Sequence, residues 1–149
     1  MNMKTIFESK NIRFVEVTEF LLEEYLTMVN DIENVAWWIG KRTEAISEEK
    51  APIFSMVEKK SGEFIGNVEF MDMDESAAEL GIAITAKKQN MGYGKEAVSA
   101  IVKYGMNELG LKKIFLKVYP DNMRAIHVYE QCGFQEYDRT DEDIFMEII

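Results

Sequence analysis

The sequence predicts an α+β domain, and three observations carry that reading. The chain has 149 residues, 47% hydrophobic and 30% charged, which is the size and composition of one ordinary globular domain. Several short apolar or alternating stretches are separated by glycine or polar turns, the pattern of strands. Two longer stretches have apolar residues at helical spacing and a glycine just past their ends.

Taken in order, Thr5 to Glu8 and Ile12 to Val17 read as two strands around a Ser9-Lys10-Asn11 turn. Thr18 reads as an N-cap, followed by Leu22, Tyr25, Leu26 and Val29 on one helical face. Asp31 to Trp38 is a second helical or irregular piece, and Thr43 to Lys50 adds a turn or two of helix. Ile53 to Lys59, Glu63 to Met71 and Ala77 to Thr85 form a three-strand meander, with Gly62 supplying a positive φ in the first turn. The run Leu80-Gly81-Ile82-Ala83-Ile84 is expected to be buried on both faces. Gly94 to Leu109 is the clearest helix, with Ala97, Val98, Ile101, Val102 and Gly105 as its apolar stripe and Gly110 closing it. Lys112 to Tyr119 is a strand, and Met123 to Gln131 is a helix ended by Gly133. Phe134 to Asp138 and Ile144 to Ile149 finish as two strands. Two prolines, nine glycines and no linker or repeat point to one continuous domain over 1–149.

Composition removes several function classes. With 17 Lys+Arg against 27 Asp+Glu, the net charge is −10. Duplex nucleic acid and anionic membranes both reward basic faces, so neither is an expected partner. No apolar run is long enough to cross a bilayer, and the N-terminus lacks an apolar signal core. One cysteine, Cys132, allows no internal disulfide and suits a cytoplasmic protein. With His127 as the only histidine, no metal site is expected. Cys132 and His127 lie on different faces of one helix, so Cys132 reads as a packed thiol and His127 as a surface residue.

Two motifs carry chemistry. Gln89-Asn90-Met91-Gly92-Tyr93-Gly94-Lys95 joins a strand to a strong helix. A helix N-terminus offers unpaired N–H groups and positive partial charge, and glycines let a phosphate approach the backbone. Lys87, Lys88 and Lys95 add positive charge there. The loop lacks the GK[ST] ending of a P-loop and the third glycine of the dinucleotide fingerprint. Read alone, it is equally an ordinary strand-to-helix turn. In the second motif Asn122 and Tyr129 are seven residues apart and share a helix face, with small Ala125 between them. A phenol in that position is either a core aromatic with its hydroxyl at the rim or a proton donor to a leaving thiolate.

Together these motifs resemble the GCN5-related N-acetyltransferase (GNAT) superfamily. Gln89, Gly92 and Gly94 match its Q/R-x-x-G-x-G/A loop. Asn122, Ala125, Tyr129, Gly133 and Phe134 match its N-x-x-A-x-x-x-Y-x-x-x-G-F pattern. The N-terminal hairpin, Trp37-Trp38 and Ala78-Glu79-Leu80-Gly81-Ile82 are similar to the branch of ribosomal-protein N-terminal and spermidine acetyltransferases. The resemblance implies a mixed, mostly antiparallel sheet of about seven strands with flanking helices. That sheet splays between the strand ending near Thr85 and the strand starting near Lys112.

It also implies acetyl-CoA as donor, with no metal. The diphosphate would sit on the backbone of Met91, Gly92, Tyr93, Gly94 and Lys95, next to Gln89. Ile82 and Ile84 would pair with the pantetheine arm like an added strand, and Asn122 would hold it by its side-chain amide. A neutral primary amine, from a protein N-terminus or a small polyamine, would attack the thioester directly. Tyr129 is the implied general acid. Glu79 is the candidate base, acting directly or through water and aimed by a β-bulge, with a partly exposed strand carboxylate as the plainer alternative. Trp37 and Trp38 are either core closure or acceptor-pocket wall, with Trp37 the candidate substrate-binding residue. A homodimer through the C-terminal strands is compatible with the family's habit. The competing expectation is an acyl-CoA sensor or partner-binding module of the same fold without turnover.

The charge divides along the chain. Residues 86–124 hold 8 Lys+Arg against 3 Asp+Glu, net +5, and the remainder is net −15. That division suits an anionic donor on one side. Asp31, Glu33, Glu44, Asp138, Asp141, Glu142 and Asp143 on the other either favour a cationic acceptor or form a solvated surface.

Overall fold

The computed structural model describes residues 4–18, 21, 23, 24, 27 and 52–149. Among these residues there are eight strands: β1 (Thr5–Glu8), β2 (Ile12–Glu16), β3 (Ile53–Glu58), β4 (Phe64–Met71), β5 (Ala77–Ile84), β6 (Lys113–Val118), β7 (Gln135–Arg139) and β8 (Ile144–Ile148); apolar residues bury at least one face of most of them, whereas β7 is exposed throughout and is held by its pairing with β8. The two glycine-closed periodic stretches build α1 (Tyr93–Asn107) and α2 (Met123–Gln131). The expected cap at Thr18 is present, since its hydroxyl accepts from the Leu21 N–H at 3.2 Å.

All eight strands join one sheet in the order β1-β2-β3-β4-β5-β6-β8-β7, one more than the expected seven or so. The element-by-element reading of the sequence gives the same eight strands, and the terminal hairpins β1–β2 and β7–β8 extend the central sheet at its two ends. Every neighbouring pair is antiparallel except β5–β6. The parallel pair is the one that needs a crossover, and α1 supplies it.

One sheet face carries the larger core cluster, and Val15, Leu21, Val57 and Phe64 form a smaller one apart from it. Ile12, Phe14, Val68, Phe70, Ala78, Leu80 and Ile114 are buried in one cluster with Ala97, Val98, Ile101 and Val102 of α1. The helix buries the stripe that its sequence predicts, Gly105 included. Gly105 has a packing reason: a Cβ there would lie 2.7 Å from Phe70 Cζ and 3.2 Å from Ile114 Cδ1. The helix can therefore settle onto β4 and β6 only without a side chain at that position.

Alternation sends Asn67, Glu69, Glu79 and Gly81 to the opposite face. The register sets Glu69 beside Gly81 and Met71 beside Glu79. The expected double-sided burial of the Leu80–Ile84 run is not found. Leu80 is buried, but Gly81, Ile82, Ala83 and Ile84 are half-buried. The reason is topological: β5 loses its β6 neighbour halfway along.

Candidate active site

The parallel pairing of β5 with β6 covers only Ala77, Ala78 and Glu79, matched with Lys113, Ile114 and Phe115. Beyond Glu79 the two strands part, as the resemblance implied. A cleft of about 750 Å³ opens there on the α1 side of the sheet. Its walls are Ile82 and Ile84 of β5, Gly92, Gly94, Lys95 and Val98 around the start of α1, and Asn122, Ala125 and Tyr129 around α2. Gln89 also lines it. Two motifs more than 25 residues apart thus face each other across one opening.

The glycine loop leaves this opening free at backbone level. Asn90 and Gly92 adopt left-handed conformations, φ 64° and 85°. Gly92 caps α1 with no side-chain hydrogen bond. The first intrahelical bond at this end runs from the Glu96 N–H to the Gly92 carbonyl at 3.2 Å. The N–H groups of Tyr93, Gly94 and Lys95 precede it, so they have no partner within the helix. A Cβ on Gly92 would have nothing within 4 Å, and one on Gly94 would make only an ordinary contact, 3.7 Å from Ile84 Cδ1. Packing therefore does not demand Gly94. What its missing side chain leaves open is the cleft, and a row of amides at a helix N-terminus suits a diphosphate.

On α2, Asn122 does something other than expected. Its Oδ1 accepts from the Ala125 N–H at 3.3 Å, so it serves as the helix N-cap while also lining the cleft. Tyr129 is half-buried, packs against Phe134 with ring centroids 5.9 Å apart, and lines the same cleft. Burial foremost, and nearby Cys132, raise its phenol above the usual value, so the group stays protonated at neutral pH. Burial likewise raises the Cys132 thiol, consistent with a packed rather than a nucleophilic cysteine.

Two expected donors of charge or contact are bound to carboxylates, although Lys88 also lines the cleft. Lys88 bridges to Glu58 at 3.1 Å and to Glu63 at 2.9 Å, so its charge is already matched by carboxylates. The Tyr93 side chain turns away from the cleft and donates its hydroxyl to Glu58. Met91 is 61% exposed and does not line the cleft. For Met91 and Tyr93 only the backbone remains as the ligand-facing part.

Glu79 sits on the face of β5 opposite the cleft. No bulge aims it, because the β4–β5 register runs without a shift from Gly66–Ile84 to Met71–Glu79. Plain alternation turns it that way. Glu69 shares that face and lines a smaller cavity of about 210 Å³ with Ile53, Asn67, Gly81, Ile82 and Ala83. Asn67 in that cavity is 4% exposed, and its Oδ1 accepts from Ser55 Oγ at 2.8 Å. Trp37 and Trp38, with Asp31, Glu33 and Glu44, lie outside the described residues. Among the described residues no cluster of three or more His, Cys, Asp or Glu side chains is arranged to hold a metal ion.

A family model described as an acetyltransferase (GNAT) domain matches residues 12–135, most of the chain. The chain belongs to the GNAT acetyltransferase family. A spermidine N(1)-acetyltransferase of Vibrio cholerae is 32% identical over 93 residues, which is 61% of this chain and 54% of that protein's length. Among solved structures, a Vibrio cholerae spermidine N-acetyltransferase in complex with CoA and spermine superposes with a TM-score of 0.85 at 21% identity, covering 93% of this chain and 95% of that one. A second acetyltransferase structure from Vibrio cholerae gives 0.82 at 19% identity, covering 99% of both chains. At these identities the solved structures establish the GNAT fold.

Within this GNAT domain, the structure gathers Ile82, Ile84, Gln89, Gly92, Gly94, Lys95, Asn122 and Tyr129 at one cleft and leaves Glu79 across the sheet. Sequence reading missed Glu69 and Glu58. For Glu69 a signal existed: Asn67 and Glu69 are polar at period two within an otherwise apolar strand. Glu58 gave none, being one more carboxylate at a strand end.

Proposed function

We propose that the chain is an acetyl-CoA-dependent N-acetyltransferase that transfers acetyl to a primary amine. The observation that supports this best is the shared cleft. Tyr129 and the amide-lined start of α1 open onto the same space where β5 has lost its strand partner. The donor set fits the cofactor: N–H groups of Tyr93, Gly94 and Lys95 for the diphosphate, and the edge of β5 beyond Glu79 at Ile82 and Ile84 for an amide-bearing arm, with the Ile84 carbonyl also accepting from Gln89 Nε2 at 3.0 Å. Bound acetyl-CoA would supply the thioester.

The chain's own residues then divide the proton work. On the far side of β5, Glu79 takes a proton from an incoming ammonium, directly or through water, and leaves a nucleophilic amine. Where β5 and β6 part, the amine nitrogen bonds to the acetyl carbon as the carbon–sulfur bond breaks, and the extra proton then left on the nitrogen passes to water. Tyr129 gives its proton to the leaving sulfur. Glu69 and Glu79 on one face of the sheet favour a cationic acceptor. A small polyamine, as named for the Vibrio cholerae relative, and a protein N-terminus both meet that requirement.

The test is release of CoA thiol from acetyl-CoA across a panel of polyamines and N-terminal peptides. Turnover with at least one amine is the expected result. CoA binding with no thiol release from any amine would instead assign a non-catalytic acyl-CoA-binding module.

A further inference from the structure

The division of proton work above leaves one buried carboxylate unused. Glu58, the last residue of β3, is 5% exposed, and three groups converge on it, one from the turn that follows it and two from the segment after β5. Ser61 Oγ donates to its Oε1 at 2.6 Å. The Tyr93 hydroxyl donates to its Oε2. Lys88 Nζ lies 3.1 Å from Oε1, with a side chain only 12% exposed.

The positions of two of these partners matter. Lys88 ends the short 3-10 turn Ala86–Lys88 that follows β5, and Tyr93 is the first residue of α1. Between them lie only residues 89–92, with the left-handed Asn90 and Gly92. A loop with two left-handed residues is costly to hold in one conformation. Here a single carboxylate, reaching from a strand that is two places from β5 in the sheet, grips both of its ends. Buried charge-assisted hydrogen bonds are among the stronger polar contacts available for this. Preorganised amides bind an anion without ordering the loop at the moment of binding.

We infer that Glu58 is a positioning residue for the donor: through Lys88 and Tyr93 it holds the glycine loop in the shape that receives a diphosphate. The inference rests on the placement of the donor given above, and it makes the Lys88 charge structural rather than ligand-binding.

Glu58→Gln and Tyr93→Phe test it, measured singly and together. The probes are CoA and pantetheine, which lacks the diphosphate. For Glu58→Gln the dissociation constant for CoA is expected to rise about tenfold, and that for pantetheine to change by less than about twofold. In turnover assays KM for acetyl-CoA should rise by more than kcat falls. The double variant should lose less than the product of the two single losses, because both remove one shared contact. If Glu58→Gln does not fold, Tyr93→Phe carries the test with an expected loss of about threefold, since it deletes one oxygen and keeps the ring. CoA binding by the variants within about twofold of wild type, or equal losses for CoA and pantetheine, would overturn the positioning role. A wild-type chain that does not bind CoA would overturn the donor placement as well, so the two failures are told apart.

Discussion

Replacing Tyr129 by Phe removes one oxygen from the cleft and leaves the ring in place. The ring contact with Phe134, 5.9 Å between centroids, is kept, and the hydroxyl is not paired into the buried core. Stability should therefore change by less than about 1 kcal/mol. Catalysis should change far more. Burial holds the phenol above its usual value, so wild type carries the proton at neutral pH. A positioned general acid contributes roughly 10²–10⁴ in rate, which corresponds to about 3–5 kcal/mol of barrier. Thiol release at saturating acetyl-CoA and amine should fall by that factor. CoA binding by calorimetry should stay within about twofold. The sign of the pH effect follows from the acid role: wild-type kcat is lost as pH rises through the raised phenol value, and the Phe variant has no such alkaline limb. A kcat within about threefold of wild type, with CoA binding intact, would refute the assignment of the acid to Tyr129.

Other consequences of the same geometry are open to measurement. Gly92→Glu places a carboxylate beside the amides at the start of α1, on a residue with φ 85° and no neighbour within 4 Å of its Cβ. Circular dichroism should show the fold retained at a cost of about 1–3 kcal/mol, while CoA binding is abolished; unchanged affinity would sink the diphosphate placement. Glu79→Gln should lower kcat by about 10²-fold or more at neutral pH, whereas Glu69→Gln should mainly raise the amine KM by several-fold; equal effects on the two parameters from both variants would remove the division of roles. Hydrogen bonds from Ser61 and then Tyr93, followed by Lys88, hold the Glu58 carboxyl down at about 2 against the opposing effect of burial. A depressed carboxyl stabilises the fold above its unfolded value near 4.5, and that contribution is lost as pH falls through about 2. The stability difference between wild type and Glu58→Gln, from urea unfolding, should thus shrink by about 3 kcal/mol between pH 7 and pH 2. A pH-independent difference would contradict the stated cause.

What could be read from the sequence alone was what depends on near neighbours in the chain. Among the described residues the period-two and period-3.6 patterns located strands and helices to within a residue or two, because burying one face of a strand or helix is a local repeat; the helical pieces read after Thr18 and over 31–38 and 43–50 lie largely outside those residues. Gly62, Gly110 and Gly133 adopt the positive φ values expected where the chain must turn, and the Thr18 hydroxyl accepts from the Leu21 N–H, since caps and turns involve residues three or four apart. The glycine loop and the Asn122–Tyr129 face were visible for the same reason. Tertiary structure alone decided which charges meet. Lys88 is spent on Glu58 and Glu63, and Tyr93 turns to Glu58, through contacts spanning 25 to 35 residues that no local spacing encodes. It also decided that Glu69 and Glu79 share a face across the sheet from Tyr129. Finally, the half-buried end of β5 could not be read from its apolar letters. An apolar run says only that the residues leave water; whether a strand or an open cleft lies beside them is set by where β6 parts from β5.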